Sequence, residues 1–321
     1  MKLKAFLQLV RWPNLVFIIL TQVAFYYFVM LGTYGNEMQY LKVTTPLLLI
    51  LILASVCIAA GGNIINDYFD INIDVINKPS KVIIGNGINK RYAILLHFIL
   101  SFVGVSLSFY ISYALQQSFW WLGWCNLIAV FVLIFYSASL KKKLLTGNIV
   151  IAVLTAWVIV VLLLSQFRLN YTNAVVANID KQIAANYYAK LVRIGLLYAA
   201  FAFIITLIRE VVKDMEDVIG DTKHGCRTMP IVWGLQVCKV FVAVWSIVLV
   251  AMLLLVQFYV LQYAWYFAIL YCLIAVIVPL IFTLTVLAKS FESTHFHTLS
   301  TLYKYIMLTG ILSMIFFKIY A

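Results

Sequence analysis

Three aspartates, Asp67, Asp70 and Asp74, stand at i, i+3 and i+7 in the stretch Asn66-Asp67-Tyr68-Phe69-Asp70-Ile71-Asn72-Ile73-Asp74, directly on the end of a long apolar run. On a continuing helix this spacing puts all three carboxylates on one face, and Asn63 and Asn66 extend that face inward. Like charges on one stripe repel. In the low dielectric beside a bilayer they are driven to take up protons unless a cation is present, and a divalent metal meets that need. Far downstream, Asp214, Asp217 and Asp221 repeat the spacing at the end of another apolar run, inside Arg209-Glu210-Val211-Val212-Lys213-Asp214-Met215-Glu216-Asp217. The two stripes read as two halves of one site.

The chemistry suited to such a site uses Mg2+ and a diphosphate ester. Magnesium takes a few carboxylates, substrate phosphate oxygens and water, and it stabilises a departing diphosphate as a Lewis acid. Lys78, Lys81, Lys141, Arg209 and Lys213 are placed to bring further positive charge to the phosphate oxygens, with Asn63 and Asn66 beside them. An apolar chain on the diphosphate would run down between the helices. Departure from an allylic carbon leaves a positive charge there, which aromatic faces stabilise and water destroys. Tyr68, Phe69 and Tyr136 lie near the stripes in sequence, and Tyr68 and Tyr136 are the candidates for that role.

The elements that must hold these groups are membrane helices. The 321 residues are 65% hydrophobic and 11% charged, which excludes a soluble domain and makes this a polytopic membrane protein. Eight of the eleven acids lie in or beside the stripes, leaving Glu37, Asp180 and Glu292 elsewhere. The expected fold is all-α, a bundle of nine transmembrane helices around a central cavity open to the cytoplasmic side, forming one domain over 1–321. Apolar runs place the helices at about 15–31, 45–66, 92–113, 119–139, 148–166, 192–212, 237–259, 265–287 and 302–320. The polar segment 168–190 fits either a surface helix or an irregular loop. Gly and Pro in Lys78-Pro79-Ser80-Lys81 and Gly85-Asn86-Gly87 allow a mobile flap.

Nine spans put the N-terminus and the loops after helices 2, 4, 6 and 8 on one side. Seventeen Lys and Arg fall there and six on the other (Lys42, Arg168, Lys181, Lys190, Arg193 and Lys318), so the first side is cytoplasmic. Both stripes land on it. The net charge of +12 therefore reads as topology, with Lys141-Lys142-Lys143 an anchor, and not as nucleic-acid binding. The basic start and first apolar run lack a small-x-small cleavage site and read as an uncleaved first helix. Five cysteines without a C-x-x-C read as small buried hydrophobes, and the four histidines are too scattered to form a metal site.

Asn66-Asp67-x-x-Asp70-x-x-x-Asp74 followed by Asn77-Lys78-Pro79, with Asp214-x-x-Asp217-x-x-x-Asp221 after Arg209-Glu210, resembles the UbiA superfamily of intramembrane prenyltransferases. Arg11-x-Pro13-Asn14, Tyr136-Ser137-x-x-Leu140-Lys141, Gly147-Asn148 and Gly225-x-x-Thr228-x-Pro230 extend the likeness along the whole chain. The resemblance implies Mg2+-dependent binding of a prenyl diphosphate and transfer of the prenyl group to an acceptor, with release of pyrophosphate. Arg-Glu-x-x-Lys-Asp-x-Glu-Asp-x-x-Gly-Asp is similar to the geranylgeranylglyceryl phosphate geranylgeranyltransferase branch, which implies a geranylgeranyl donor and a glycerophosphate-type lipid acceptor. After Pro79 the chain reads Lys81-Val82-Ile83-Ile84-Gly85 where many members have Arg-Pro-Leu-Pro-Ser-Gly, so the acceptor stays open. An aromatic acceptor, as in quinone, tocopherol or haem O synthesis, is the alternative within the class. A cation transporter is the alternative outside it, although transporters place their acids near mid-membrane in broken helices.

Overall fold

A chain that must satisfy its backbone hydrogen bonds inside lipid, with no strand to pair, becomes helical across each apolar run. The computed structural model describes residues 3–35, 37–77, 82–85, 87–167 and 178–320. Among these, the one extended pairing is an isolated bridge between Ile84 and Ile88. A short α1 (Leu3–Leu9) leads into α2 (Trp12–Tyr34), α3 (Thr45–Asn77), α4 (Lys90–Ala114), α5 (Trp121–Ala138), α6 (Thr146–Gln166), α7 (Asn178–Lys223), α8 (Met229–Leu261), α9 (Tyr266–Lys289) and α10 (Ser293–Tyr320). Among the described residues nine helices, α2 to α10, are long and apolar enough to cross a membrane. These are the nine expected spans.

Several helices run further than their apolar cores. At 1.5 Å per residue, the 33 residues of α3 and the 46 of α7 extend about 50 and about 69 Å, well beyond a hydrocarbon core of about 30 Å. Both acidic stripes sit on these overruns, past the expected ends at 66 and 212. Hydropathy falls where the aspartates begin, but the helical backbone continues. Likewise α7 already starts at Asn178, so residues 178–190 of the polar segment are helical, while 168–177 lie outside the described residues. The seventh span begins at Met229, not near 237, with its axis broken at Gly234 (φ 83°), and the ninth begins at Ser293, not near 302.

The chain packs into two compact units, the first of residues 1–138, 157–199 and 321, the second of 139–156 and 200–320. In the first, α3 and α4 pack closely because a small residue stands at their contact. A Cβ on Gly104 would lie 2.9 Å from the Ala54 carbonyl oxygen and 3.2 Å from the Ile58 nitrogen. Buried amides tie the helices: Gln22 Nε2 donates to Ser55 Oγ (3.0 Å) and the Val158 oxygen (3.1 Å), and Trp157 Nε1 donates to Asn126 Oδ1 (2.9 Å).

Leu9, Val10, Leu15, Ala60 and Ile64 form one buried cluster, and Ile84 and Ile88 join it. Ile84 and Ile88 thus hold the described residues on either side of Asn86 to the core, with the Gly85 nitrogen donating to the Ile88 oxygen at 2.8 Å. This differs from the expected flap, because Ile84 and Ile88 are buried and Ile83 packs partly buried against the same cluster; Lys78 to Lys81 lie outside the described residues.

The second unit is built on Ile205, Ile208, Val211 and Val212 of α7, packed with Val242 and Leu249 of α8, Leu280 of α9 and Tyr303 of α10. Ser246 Oγ and Thr283 Oγ1 each lie 3.2 Å from the Tyr303 hydroxyl, so one buried polar node joins α8, α9 and α10. The five cysteines are free thiols, four of them buried, as expected of small apolar residues.

Candidate active site

The first stripe occupies the end of α3, where Asp67, Asp70 and Asp74 are each partly exposed on the helix. Residues such as Asn, Asp and Ile are weak helix formers, so this last stretch needs external support. Packing supplies part of it: Tyr68 and Ile71 lie against the core of the first unit, and Ile73 is buried. Polar contacts supply the rest. Asn66 Nδ2 donates to Asp70 Oδ2 at 2.9 Å, one helical turn on, and Arg11 Nη2 donates to Asp67 Oδ1 at 2.6 Å.

Arg11 stands at the α1–α2 junction in the left-handed region (φ 53°), a conformation a non-glycine residue adopts only when its surroundings over-determine it. Two contacts do so here. Asn63 Nδ2 donates to the Val10 oxygen at 2.9 Å, and the guanidinium reaches Asp67. Partial burial disfavours the Arg11 charge, but Asp67, with Asp70 and Asp74 behind it, outweighs burial and holds the pKa above its ordinary value. Asn63 therefore serves the junction as well as the face of the stripe. Tyr68 meets Phe69 edge to face, with ring centroids 5.6 Å apart.

The second stripe, Asp214, Asp217 and Asp221, lies on the overrun of α7 and is also partly exposed. Asn148, buried at the start of α6, donates from Nδ2 to Asp214 Oδ2 at 2.7 Å. The preceding glycine makes that approach feasible: a Cβ on Gly147 would stand 2.7 Å from Lys141 Cα and 3.1 Å from the Leu140 oxygen. The turn carrying the half-buried Lys141 is thereby folded onto the base of α6. Tyr136, also half-buried, lies on α5 in the first unit.

Glu210 gathers the two cations of this helix. Lys213 Nζ donates to both its carboxylate oxygens at 2.9 Å, and Arg209 Nη1 donates to Oε1 at 3.0 Å. The expectation that Arg209 and Lys213 serve phosphate therefore gains an intermediary, a carboxylate that fixes where both charges sit. On α10, His297 Nδ1 lies 3.0 Å from Glu216 Oε1, and Ser293 Oγ donates to the Glu216 backbone oxygen at 3.0 Å. Lys78 and Lys81 lie outside the described residues.

Sequence reasoning about the site did not assign Arg11, Asn148, Glu210 or His297. Arg11, Asn148 and Glu210 stood inside recognised motifs, so a signal was present without a role. His297 had none, because its partner is 81 positions away.

The donors suit a hard cation. Both stripes offer carboxylate and amide oxygens and no thiolate, the set chosen by Mg2+. Among the described residues no three His, Cys, Asp or Glu side chains converge into a cage. Magnesium binds through one or two carboxylates and takes its other ligands from substrate phosphates and water. Asp74 and Asp221 also sit in the last turn of their helices, where the macrodipole is negative and a carboxylate is unfavourable without a compensating cation.

The UbiA prenyltransferase family profile matches residues 23–305. A digeranylgeranylglyceryl phosphate synthase from Sulfurisphaera tokodaii is 31% identical over 290 residues, covering 90% of this chain and 89% of that protein. Another from Methanosphaera stadtmanae is 31% identical over 252 residues, covering 76% and 80%. In fold, the chain is similar to a solved structure concerning digeranylgeranylglyceryl phosphate synthase in membranes (TM-score 0.61, 23% identity, 98% and 99% covered). It is also similar to a UbiA homolog from Archaeoglobus fulgidus bound to GPP and Mg2+ (TM-score 0.58, 14% identity, 97% and 99% covered). The stripes, the helices that carry them and these relatives agree: the chain belongs to the UbiA prenyltransferase family.

Proposed function

We propose that this protein transfers a geranylgeranyl group from geranylgeranyl diphosphate to a glyceryl phosphate lipid in the membrane, in a Mg2+-dependent reaction that releases pyrophosphate. The observation that carries this is the pair of Asp stripes, each at the polar end of an over-long helix, in a chain whose relatives are digeranylgeranylglyceryl phosphate synthases. A synthase of that product, adding one chain per turnover, accepts the mono-substituted glyceryl phosphate. Family membership favours the enzyme over the cation transporter, and the named relatives favour the lipid over an aromatic acceptor.

Asp67, Asp70 and Asp74, with Asp214, Asp217 and Asp221, are proposed to hold Mg2+ and through it the diphosphate, in a single prenyltransferase domain over 1–321. When bound, the metal neutralises diphosphate charge and makes it a better leaving group. Asn66 and Arg11 orient Asp70 and Asp67, and Asn148 orients Asp214. Glu210 presents Arg209 and Lys213 toward the phosphate oxygens, and Lys141, Lys78, Lys81, Asn63 and Asn66 complete the diphosphate contacts.

As the bond between the allylic carbon and the diphosphate oxygen breaks, its electron pair leaves with pyrophosphate. The rings of Tyr68 and Tyr136 stabilise the positive charge left on carbon. The acceptor hydroxyl forms the new carbon–oxygen bond and gives up its proton to the departing pyrophosphate. The apolar helices keep water from the cation and lodge the prenyl chain. The stripes, the N-terminus and the most basic loops face the cytoplasm in this reading, as the excess of Lys and Arg on that side supports.

The test is turnover by purified protein in neutral nanodiscs given geranylgeranyl diphosphate, geranylgeranylglyceryl phosphate and Mg2+. Ether product and pyrophosphate are expected in equal amounts, and chelating the metal stops both. Turnover only with an aromatic acceptor would move the assignment to that alternative, and cation flux without turnover would overturn it.

A further inference from the structure

Elsewhere on the polar faces of this protein the prominent cations are committed: Arg11 to Asp67, and Arg209 and Lys213 to Glu210. A second group is not. Lys142 and Lys143 follow α5, while Lys223 and Arg227 bracket the turn between α7 and α8, and all four side chains are exposed. The Arg227 backbone nitrogen donates to the Lys142 oxygen at 2.8 Å, so two loops far apart in sequence are stapled into one surface. Among the described residues none of the four makes an ion pair. The acid closest in the chain is Asp221, whose backbone oxygen accepts from the Cys226 nitrogen at 3.0 Å, which ties this surface to the second stripe.

The start of α8 follows Arg227 directly in the chain. Thr228, its N-cap residue, makes no side-chain cap bond, its buried Oγ1 has no hydrogen-bond partner, and Pro in the first turn lacks an N–H. Because the helix breaks at Gly234, its first segment is too short to contribute a helix-end charge, and the positive character of this surface comes from the four side chains.

We propose that the surface formed by Lys142, Lys143, Lys223 and Arg227 is the recognition site for the phosphate monoester of the acceptor lipid, and so a determinant of acceptor choice. This rests on the glyceryl phosphate reading above. A membrane-bound acceptor must bring its hydroxyl to the stripe while its own dianionic phosphate is kept off the aspartates, and a cationic surface tied to Asp221 does both. Retention of topology explains why lysines lie on this side of the membrane. It does not explain why two separate loops are bonded together at Lys142 and Arg227.

The test uses full-length enzyme in neutral phosphatidylcholine nanodiscs and compares the wild type with Lys142→Gln/Arg227→Gln and with the charge-conserving Lys142→Arg/Arg227→Lys. Loss of two charge-assisted contacts should raise KM for geranylgeranylglyceryl phosphate about tenfold or more, while kcat and KM for the prenyl diphosphate stay within about twofold. The charge-conserving pair should restore the wild-type value, and inorganic phosphate should compete with the acceptor in the wild type and only weakly in the neutral variant. An unchanged acceptor KM, or a defect seen only when anionic lipid is added to the nanodisc, overturns the proposal; the second result makes the patch a bilayer-headgroup contact. A wild type that ignores the phosphorylated acceptor and turns over its dephosphorylated form would instead remove the acceptor reading, and the proposal with it.

Discussion

Asn148→Leu keeps roughly the volume of a buried side chain and removes one hydrogen bond, the 2.7 Å contact to Asp214 Oδ2. A hydrogen bond to a charged acceptor contributes about 1.5–3 kcal/mol, and its loss leaves the carboxylate free to turn away from the stripe. If that orientation matters chiefly as charge builds on the departing diphosphate, the loss appears in the barrier. Conversion at about 1.4 kcal/mol per decade gives a fall of about ten- to 150-fold in kcat/KM for prenyl diphosphate. The assay is the initial rate of pyrophosphate release across prenyl diphosphate and Mg2+ concentrations, with a thermal unfolding midpoint in the same detergent to check folding. A variant that folds normally and keeps kcat/KM within about twofold of wild type, with the same Mg2+ dependence, would refute the assignment of Asn148 as the residue that orients Asp214.

Gly147→Ala forces a methyl to 2.7 Å from Lys141 Cα, so the turn must move. A cost of about 1–3 kcal/mol and a lowered turnover are expected, and a stable, fully active variant would contradict the close approach. Glu210→Gln removes the charge shared by Arg209 and Lys213, all three being largely buried. A loss of about 3 kcal/mol in stability and a raised KM for prenyl diphosphate should follow, and neither denaturation midpoint nor KM should match wild type if Glu210 holds both cations. A cysteine at Ser80 is expected to react with an impermeant reagent from the cytoplasm and one at Asn173 from the opposite side; the reverse pattern would invert the topology.

The stripes were legible because a helix repeats: aspartates at 67, 70 and 74 and at 214, 217 and 221 can share a face only on an α-helix, and both do. The nine spans were legible for the equally local reason that lipid demands long apolar runs. Helix ends were not, since Asp and Asn lower hydropathy at 66 and 212 while Tyr68, Ile73, Val211 and Val212 still find cores to pack against. Contacts across sequence were illegible for the same physical reason. Nothing near Asp67 announces Arg11, 56 positions earlier, and nothing near Asp214 announces Asn148, 66 positions earlier. The Gly-punctuated stretch after Pro79 reads as mobile because glycine is a local signal, whereas the burial of Ile84 and Ile88 depends on Leu9 and Val10.

The central proposal is that two stripes, carried by separate helices, bind one Mg2+–diphosphate assembly. The direct measurement is equilibrium binding of a non-reactive prenyl diphosphate analogue, with and without Mg2+, to wild type, Asp70→Asn and Asp217→Asn. Each substitution keeps shape and removes one charge, so each alone should weaken Mg2+-dependent binding by about tenfold or more. If either variant bound the analogue with wild-type affinity and wild-type Mg2+ dependence, the stripe it belongs to would not be part of the site.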